Sequence, residues 1–177
     1  MLKNTVLEAR GIWKGYRKSS GIFHWALKKV DLKLKEGEFI SILGAPAEGT
    51  SILLKVLGFL ETPDKGEVYF QGRLVGEIGG KELEYMRNQR IWLVNYSLPA
   101  QPLPPNLAAV LLNKPVGLLK STPDNYLLSR IRHFNDCGIA VVMATRDPVE
   151  ASCAASVYKM SKGKIAKING NVKYHVV

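Results

Sequence analysis

One short stretch of the chain carries residues whose types and spacing could bind phosphate. Gly44 and Gly49 bound a loop, and Ser51 follows two positions later. This spacing matches the pattern G-x-x-x-x-G-K-[ST], in which backbone N–H groups cradle phosphates. One position departs from it, because Thr50 stands where the lysine should reach the β- and γ-phosphates. A tight turn from strand to helix also needs glycines, so the loop has a purely structural alternative.

The elements around this loop must hold it in place. Residues 39–43 form an apolar run typical of a buried strand, and residues 51–60 carry apolar residues at helical spacing. Residues 5–13 and 25–34 alternate apolar and polar side chains, which predicts an antiparallel pair. Further strands are predicted at 66–72, 91–94, 107–112, 139–144, 155–160 and 164–168, and helices at 81–90, 122–135 and from Asp147. The order predicts an α/β P-loop fold.

Composition limits the class of protein but not its partner. The chain has 177 residues, a net charge of +10, and 46% hydrophobic residues, and this hydrophobic content is ordinary for a soluble globular protein. The sequence shows no secretory signal and no apolar run of the roughly 20 residues that cross a bilayer, so the cytoplasm is the expected compartment. Residues 1–170 are predicted to form one domain and residues 171–177 a tail, with a proline-rich connector at 97–106. Cys137 and Cys153 are predicted to be small buried hydrophobes. The charge fits nucleic acid, an anionic membrane or an acidic protein, and it also fits no partner at all.

Several further segments occur in an order that is more specific than any single motif. These are Val6–Tyr16, Ala26–Asp31, Glu36–Phe39, Leu57–Val68 and Val141–Asp147. Together with the loop, they make the chain resemble an ABC transporter ATP-binding subunit, most of all the lipoprotein-release and macrolide-export type. The resemblance implies an ABC-type RecA-like core with an N-terminal antiparallel β subdomain.

The resemblance also implies roles for particular residues. Tyr16 would stack on adenine, although a structural tyrosine fits the same position. Gly44 and Gly49 would let the backbone approach phosphate, and Ser51 would be the magnesium ligand. Thr50 would occupy the position of the phosphate-binding lysine. These residues form a vestigial nucleotide site.

Other positions of the family pattern carry the wrong chemistry. Asn113 replaces the aspartate that holds magnesium, and Lys114 replaces the glutamate that acts as general base. Lys120 stands for the D-loop aspartate, and Arg146 stands for the switch histidine. The chain therefore lacks the metal ligand, the base and the switch that the family uses for hydrolysis.

Two more departures concern the loop and the partner surface. Glu48 brings a carboxylate to a loop built for anions, and Tyr96 replaces the Q-loop glutamine. Between Tyr96 and the strand at 107–112, the connector 97–106 stands where the family has its helical subdomain and signature motif. That subdomain forms much of the groove for the permease, so its loss affects coupling as well as catalysis.

These substitutions together predict a pseudo-ATPase with no catalytic residues, no metal site and no required cofactor. ATP or ADP would bind weakly and without magnesium. In one hypothesis Lys114 and Arg146 attract a phosphate-bearing anion. In the other, which we favour, Glu48 pairs with Lys114 or Arg146 and closes the site. As a third alternative, these side chains simply face solvent.

The resemblance makes a noncatalytic scaffold subunit the leading interpretation. Its partners would be an ABC permease, a competent ABC ATPase or a second copy of the chain. It would then lie in the cytoplasm, peripherally at the inner face of the membrane. The alternative is a soluble regulatory or nucleic-acid-binding module that reuses the fold. Its support is the positive charge, although the cations are not interleaved with aromatic residues in the sequence.

Overall fold

A computed structural model of the chain describes residues 4–17, 19–96, 104–114 and 126–168. The described residues form an antiparallel sheet of four strands and a mostly parallel sheet of six. This arrangement confirms the predicted α/β P-loop fold. No helix in the described ranges is long and apolar enough to cross a bilayer.

The antiparallel sheet is built around a long hairpin. Its spatial order is β2-β1-β4-β5. The strands are β1 (Thr5–Arg17), β2 (Phe23–Lys35), β4 (Lys65–Phe70) and β5 (Arg73–Leu74). The hairpin pairing continues to Arg17 opposite Phe23, so both strands extend towards the turn beyond the predicted ranges 5–13 and 25–34. One face of this sheet covers the core and the other faces solvent, as its alternating burial indicates.

The second sheet carries the candidate site. Its order is β10-β9-β3-β8-β7-β6, and its strands run parallel except for β10 against β9. The strands are β3 (Phe39–Leu43), β6 (Ile91–Asn95), β7 (Ala109–Asn113), β8 (Ala140–Thr145), β9 (Ser156–Ser161) and β10 (Lys164–Lys167). The three central strands are buried on both faces, which explains their continuous apolar sequences.

Four helices and one short 3-10 turn complete the described structure. The helices are α1 (Thr50–Leu57), α2 (Gly80–Gln89), α3 (Tyr126–Asp136) and α4 (Pro148–Ala151), and the turn is Val75–Glu77. Helix α4 begins as predicted, because the Asp147 side chain accepts the Val149 N–H at 2.8 Å. Helix α1 ends three residues earlier than Leu60, since Gly58 caps it and Phe59 adopts a φ of 60°.

Two hydrophobic cores lie on opposite faces of the parallel sheet. Leu111 and Val142 belong to the core shared with α1 and the antiparallel sheet, whereas Val110 and Val141 belong to the core under α3. The prediction that Cys137 is buried is wrong, because it lies exposed just beyond α3. Of the predicted connector, 97–103 lie outside the described residues. The start of the helix predicted from residue 122, the tail 171–177 and the position Lys120 also lie outside them.

Candidate functional site

The ends of four parallel strands bring the sequence-predicted residues to one edge of the sheet. Leu43 of β3 pairs with Thr145 of β8, so the glycine loop begins beside the segment that continues into Arg146. Asn113 of β7 lies between its neighbours on β6 and β8. Such a carboxyl edge is where open α/β sheets bind their ligands. The edge borders a cavity of about 370 Å³, which Tyr16, Gly44, Gly49, Thr50, Ser51, Lys114 and Arg146 all line.

The loop from Gly44 to Gly49 is shaped by its contacts with the rest of the fold. The Gly44 N–H donates to the Thr145 carbonyl at 3.0 Å, which fixes the start of the loop. Gly49 has a φ of 106°, and a Cβ atom there would lie 2.4 Å from the Ala26 carbonyl oxygen. Only glycine satisfies both conditions. Packing against β2 therefore requires Gly49 whether or not a phosphate binds.

Thr50 opens helix α1 and is almost fully buried, at 8% exposure. Its Cγ2 methyl group lies 2.6 Å from the place that a Cβ on Gly44 would occupy, so Thr50 packs against the start of the loop. No side chain caps the first turn of α1. The position that the resemblance gives to a phosphate-binding cation is thus held by a packed, neutral side chain.

A chain of three polar side chains crosses the strand ends beside the loop. The Ser51 hydroxyl donates to the Asn113 amide oxygen at 2.9 Å, and the Asn113 amide nitrogen donates to the Asn95 side-chain oxygen at 2.8 Å. Each member thereby has a hydrogen-bond partner, and the group carries no net charge because serine and asparagine side chains are not ionised. Sequence reasoning missed Asn95. Its signal was a polar residue at the carboxyl end of a buried strand, next to Tyr96.

Two cations line the cavity from the strand ends. Lys114 follows β7 and Arg146 follows β8, and both side chains are exposed. Lys114 has a φ of 52°, and its N–H donates to the Ala144 carbonyl at 2.8 Å. Below Arg146, the buried Thr145 hydroxyl donates to the Glu150 carboxylate at 2.5 Å and accepts the Asp147 N–H. The strand ends therefore present positive charge to the cavity, on a backbone that is hydrogen-bonded on both sides.

Glu48 does not pair with either cation, so the favoured prediction of an internal ion pair is wrong. Its carboxylate accepts the backbone N–H of Lys162, in the turn between β9 and β10. The Gly163 N–H donates to the Glu48 carbonyl at 3.2 Å, and the Lys28 N–H donates to the Gly163 carbonyl at 2.7 Å. The hydrogen-bond partner of the Glu48 carboxylate is therefore the Lys162 backbone N–H and not a side-chain cation. The contact ties the loop to the edge of the sheet and leaves the cavity open.

The two aromatic positions of the site differ in their placement. Tyr16 lines the cavity, and burial together with the nearby Glu61 carboxylate raises the pKa of its phenol. Lys14 lies over the Tyr16 ring, with Nζ 5.5 Å from the ring centroid. Tyr96 has a φ of 68° and is 60% exposed, and its N–H donates to the Asn113 carbonyl. Tyr96 lies outside the cavity lining.

A glycine-bounded loop between a central parallel strand and a helix, at the carboxyl edge of the sheet, defines a P-loop NTPase fold. A family model described as ABC transporter matches residues 27–116, which is about half of the chain. The chain belongs to the ABC transporter family.

Individual relatives agree with this assignment. An uncharacterised ABC transporter ATP-binding protein of Methanocaldococcus jannaschii is 26% identical, with 92% of this chain and 99% of that protein covered. That alignment spans 222 positions against 177 residues here, so at least 45 positions have no residue in this chain. The lipoprotein-releasing system ATP-binding protein LolD of Aquifex aeolicus is 36% identical over 110 residues, which cover 59% of this chain and 49% of that protein.

The solved structures extend the likeness to the fold. The dimeric structure of the bacterial ABC transporter cassette MJ0796 superposes with a TM-score of 0.77 at 20% identity. The superposition covers 93% of this chain and 99% of that chain. At this level of identity the comparison concerns the fold alone.

Proposed function

We propose that the chain is a noncatalytic, scaffold-type ATP-binding-cassette subunit of a membrane transport complex. The observation that carries the proposal is the series of hydrogen bonds that joins the neutral side chains of Ser51, Asn113 and Asn95 at the strand ends. A hydrolytic site needs a carboxylate-held metal and a base there. Here an amide directly accepts the serine hydroxyl, and Lys114 follows it.

The residues present do not fit a magnesium ion. Mg²⁺ prefers an octahedral shell of oxygens, usually with one or two carboxylates. Asn113 offers a neutral amide oxygen that is already engaged, and the next residue is a cation. Losing the metal ligand, the base or the phosphate cation each costs on the order of 10²-fold or more in rate. These costs together support the proposal that the site does not hydrolyse ATP.

Nucleotide binding, where it occurs, would be weak and independent of magnesium. The cavity keeps the loop backbone, and Lys114 and Arg146 provide positive charge at its border. Because Glu48 is engaged by the β9–β10 turn, its carboxylate does not close the cavity. An ATP titration with and without Mg²⁺ separates this proposal from a working site. A large gain in affinity on adding Mg²⁺ would contradict it.

A second surface supports the partner part of the proposal. A cavity of about 380 Å³ lies where α1 ends against α2 and β6, and its lining includes Leu60, Arg87 and Trp92. Leu60 is 55% exposed. We define this surface as the α1–α2 groove. An exposed aliphatic residue beside charged residues suits a segment of a membrane protein partner.

The test is recovery of partners from gently solubilised native cells with a tagged full-length chain. Recovery of a permease or an intact ABC ATPase that survives moderate salt is expected, and Leu60→Asp should abolish it. Tyr85→Asp changes a large hydrophobic residue on α2 that is similarly exposed and lies outside the lining of the groove, and it is the matched control. Recovery of nucleic acid alone, released by salt, would overturn the scaffold role and favour the nucleic-acid alternative.

Hydrolysis is tested separately with the purified chain. No ATP turnover above background is expected from the chain alone or from the chain with a recovered permease. Turnover that is abolished by Lys114→Ala would show relocated catalytic groups and would contradict the noncatalytic assignment.

A further inference from the structure

The hairpin of β1 and β2 ends in an exposed apolar tip. Ile22 is 67% exposed and Phe23 is 46% exposed. Ile22 is the most exposed large hydrophobic residue in the described part of the chain. A single exposed aliphatic side chain is ordinary on a protein surface, so the tip gains meaning only from its surroundings.

Three aromatic rings continue from the tip along the outer face of the antiparallel sheet. The Phe23 and Trp25 ring centroids are 4.8 Å apart, and those of Trp25 and Trp13 are 5.2 Å apart, both in edge-to-face geometry. Gly15 makes this possible, because a Cβ there would lie 2.4 Å from Phe23 Cζ. The absence of that side chain lets Phe23 lie against β1. We call Ile22, Phe23, Trp25 and Trp13 the hairpin patch.

The charges beside the hairpin patch are positive. Lys65 pairs with Trp13 across the strands, and its Nζ lies 5.8 Å from both indole centroids. Arg17 pairs with Phe23 and is exposed. The nearby carboxylates are engaged, since Lys14 Nζ lies 3.3 Å from Asp64 and 3.7 Å from Glu61. The net charge of +10 adds a long-range attraction to anionic surfaces.

The order of these groups along the hairpin matches the depth profile of a bilayer surface. The aliphatic and phenyl groups come first at the tip, the two indoles lie behind them, and the lysine accompanies the indoles. Acyl chains accept apolar groups, indoles favour the headgroup level, and lysines reach the anionic surface. We propose that the hairpin patch inserts into the surface of a bilayer that contains anionic lipid.

The composition of the patch favours lipid over single-stranded nucleic acid. Ile22 has no π face on which a base could stack, and Lys65 already lies over the two indoles. Edge-to-face rings also present fewer open faces than a stacking platform needs. The inference goes beyond the scaffold proposal, because it places the chain on lipid directly, without a permease.

The experiment uses the purified full-length chain and extruded vesicles of equal parts phosphatidylglycerol and phosphatidylcholine. Cosedimentation is expected with these vesicles and not with pure phosphatidylcholine, and salt should weaken it. Acyl-chain-brominated phosphatidylcholine in the mixture should quench tryptophan fluorescence. Ile22→Ser should weaken binding roughly tenfold or more, as expected for a large aliphatic group that inserts.

Tyr85→Ser is the matched control, because Tyr85 is also a large hydrophobic residue with high exposure but lies on α2, outside the hairpin patch. It should bind vesicles as the parent does. Equal losses in both variants, equal binding to neutral vesicles, or no quenching would overturn the proposal. Binding of a single-stranded oligonucleotide in preference to vesicles would also overturn it, in favour of nucleic acid. The vesicles contain no permease, so a negative result would contradict only the lipid proposal. The scaffold proposal is tested separately by the recovery of partners.

Discussion

The two sides of the site cavity differ in how strongly packing constrains them. The loop side, residues 44–51, keeps the backbone shape of a phosphate-binding loop. On the strand-end side Lys114 and Arg146 line the cavity as two cations, and the neutral amide of Asn113 lies next to them, hydrogen-bonded to Ser51. The difference has a physical cause. The backbone at Gly49 packs so closely against the Ala26 carbonyl oxygen that a side chain would not fit there. At position 113 the neutral Asn113 side chain makes its hydrogen bonds without a carboxylate. Packing therefore constrains the shape of the loop more strongly than it constrains the side chains at the strand ends.

The largest expected effect is on the loop side. Gly49→Ala places a Cβ 2.4 Å from a backbone oxygen at a φ of 106°. We expect it to lower the free energy of unfolding by about 3 kcal/mol or more. Urea unfolding measures the change. Gly76→Ala is the control, because nothing lies within 4 Å of its Cβ position, and it should stay within about 0.5 kcal/mol of the parent. A tolerated Gly49→Ala would show that the loop shape is not required by packing.

Restoring the chemistry of both sides should give the next largest effect. In the triple variant Thr50→Lys, Asn113→Asp and Lys114→Glu, the existing loop shape is combined with a cation, a metal ligand and a carboxylate. We expect Mg²⁺ to raise its ATP affinity about tenfold or more, while the parent shows no such gain. Isothermal titration measures this. Asn113→Asp alone is the control. If the triple variant folds but its ATP affinity does not rise on adding Mg²⁺, the loop does not bind phosphate in the way that the prediction requires.

The polar chain across the strand ends predicts a smaller loss of stability. Asn113→Ala removes the acceptor of the Ser51 hydroxyl and the donor to Asn95. Leaving partly buried groups unpaired should cost about 1–3 kcal/mol in the free energy of unfolding. Asn88→Ala, at an exposed position on α2, should change it by less than about 0.5 kcal/mol. Equal unfolding free energies for the two variants would show that water replaces the lost hydrogen-bond partners. The hydrogen bonds among Ser51, Asn113 and Asn95 would then not contribute to stability.

The smallest effect concerns Tyr16 at alkaline pH. Burial, with help from Glu61, raises the pKa of its phenol, so the unfolded state loses this proton at a lower pH than the folded state. Stability should therefore fall as the pH rises from about 10, the ordinary pKa of a phenol, towards the folded-state pKa. Urea unfolding over about one pH unit on either side of that ordinary value measures the fall, and Tyr16→Phe should reduce it. Tyr85→Phe, at an exposed tyrosine, should leave it unchanged. If the parent, Tyr16→Phe and Tyr85→Phe lose the same unfolding free energy as the pH rises, the Tyr16 phenol has the same pKa in the folded and unfolded states, and the prediction is wrong.

Much of the fold was predictable because its signals are local. The apolar run at 39–43 and the Asp147–Pro148 start of α4 each specify an element from neighbouring residues. The element ends were less predictable. Nothing local forces β1 to continue to Arg17, and that extension depends on pairing with β2. The exposure of Cys137 likewise depends on where α3 ends relative to the sheet.

The site was predictable in its residues but not in its contacts. Spacing and order identified Gly44, Ser51 and Asn113, because motifs are properties of the sequence. The partner of Glu48 could not be inferred in this way. It is a backbone N–H in the β9–β10 turn, 114 positions further along the chain.

The sequence by itself determined the class of fold and the position of the loop, and it carries the prediction that Asn113 and Lys114 stand where the family has carboxylates. These follow from residue types, spacing and order along the chain. The tertiary structure alone decided that Glu48 leaves the cavity open, that Asn95 completes the polar chain and that aromatic rings gather behind Ile22. Each of these depends on which strands become neighbours, and that choice is made by the packing of the whole chain.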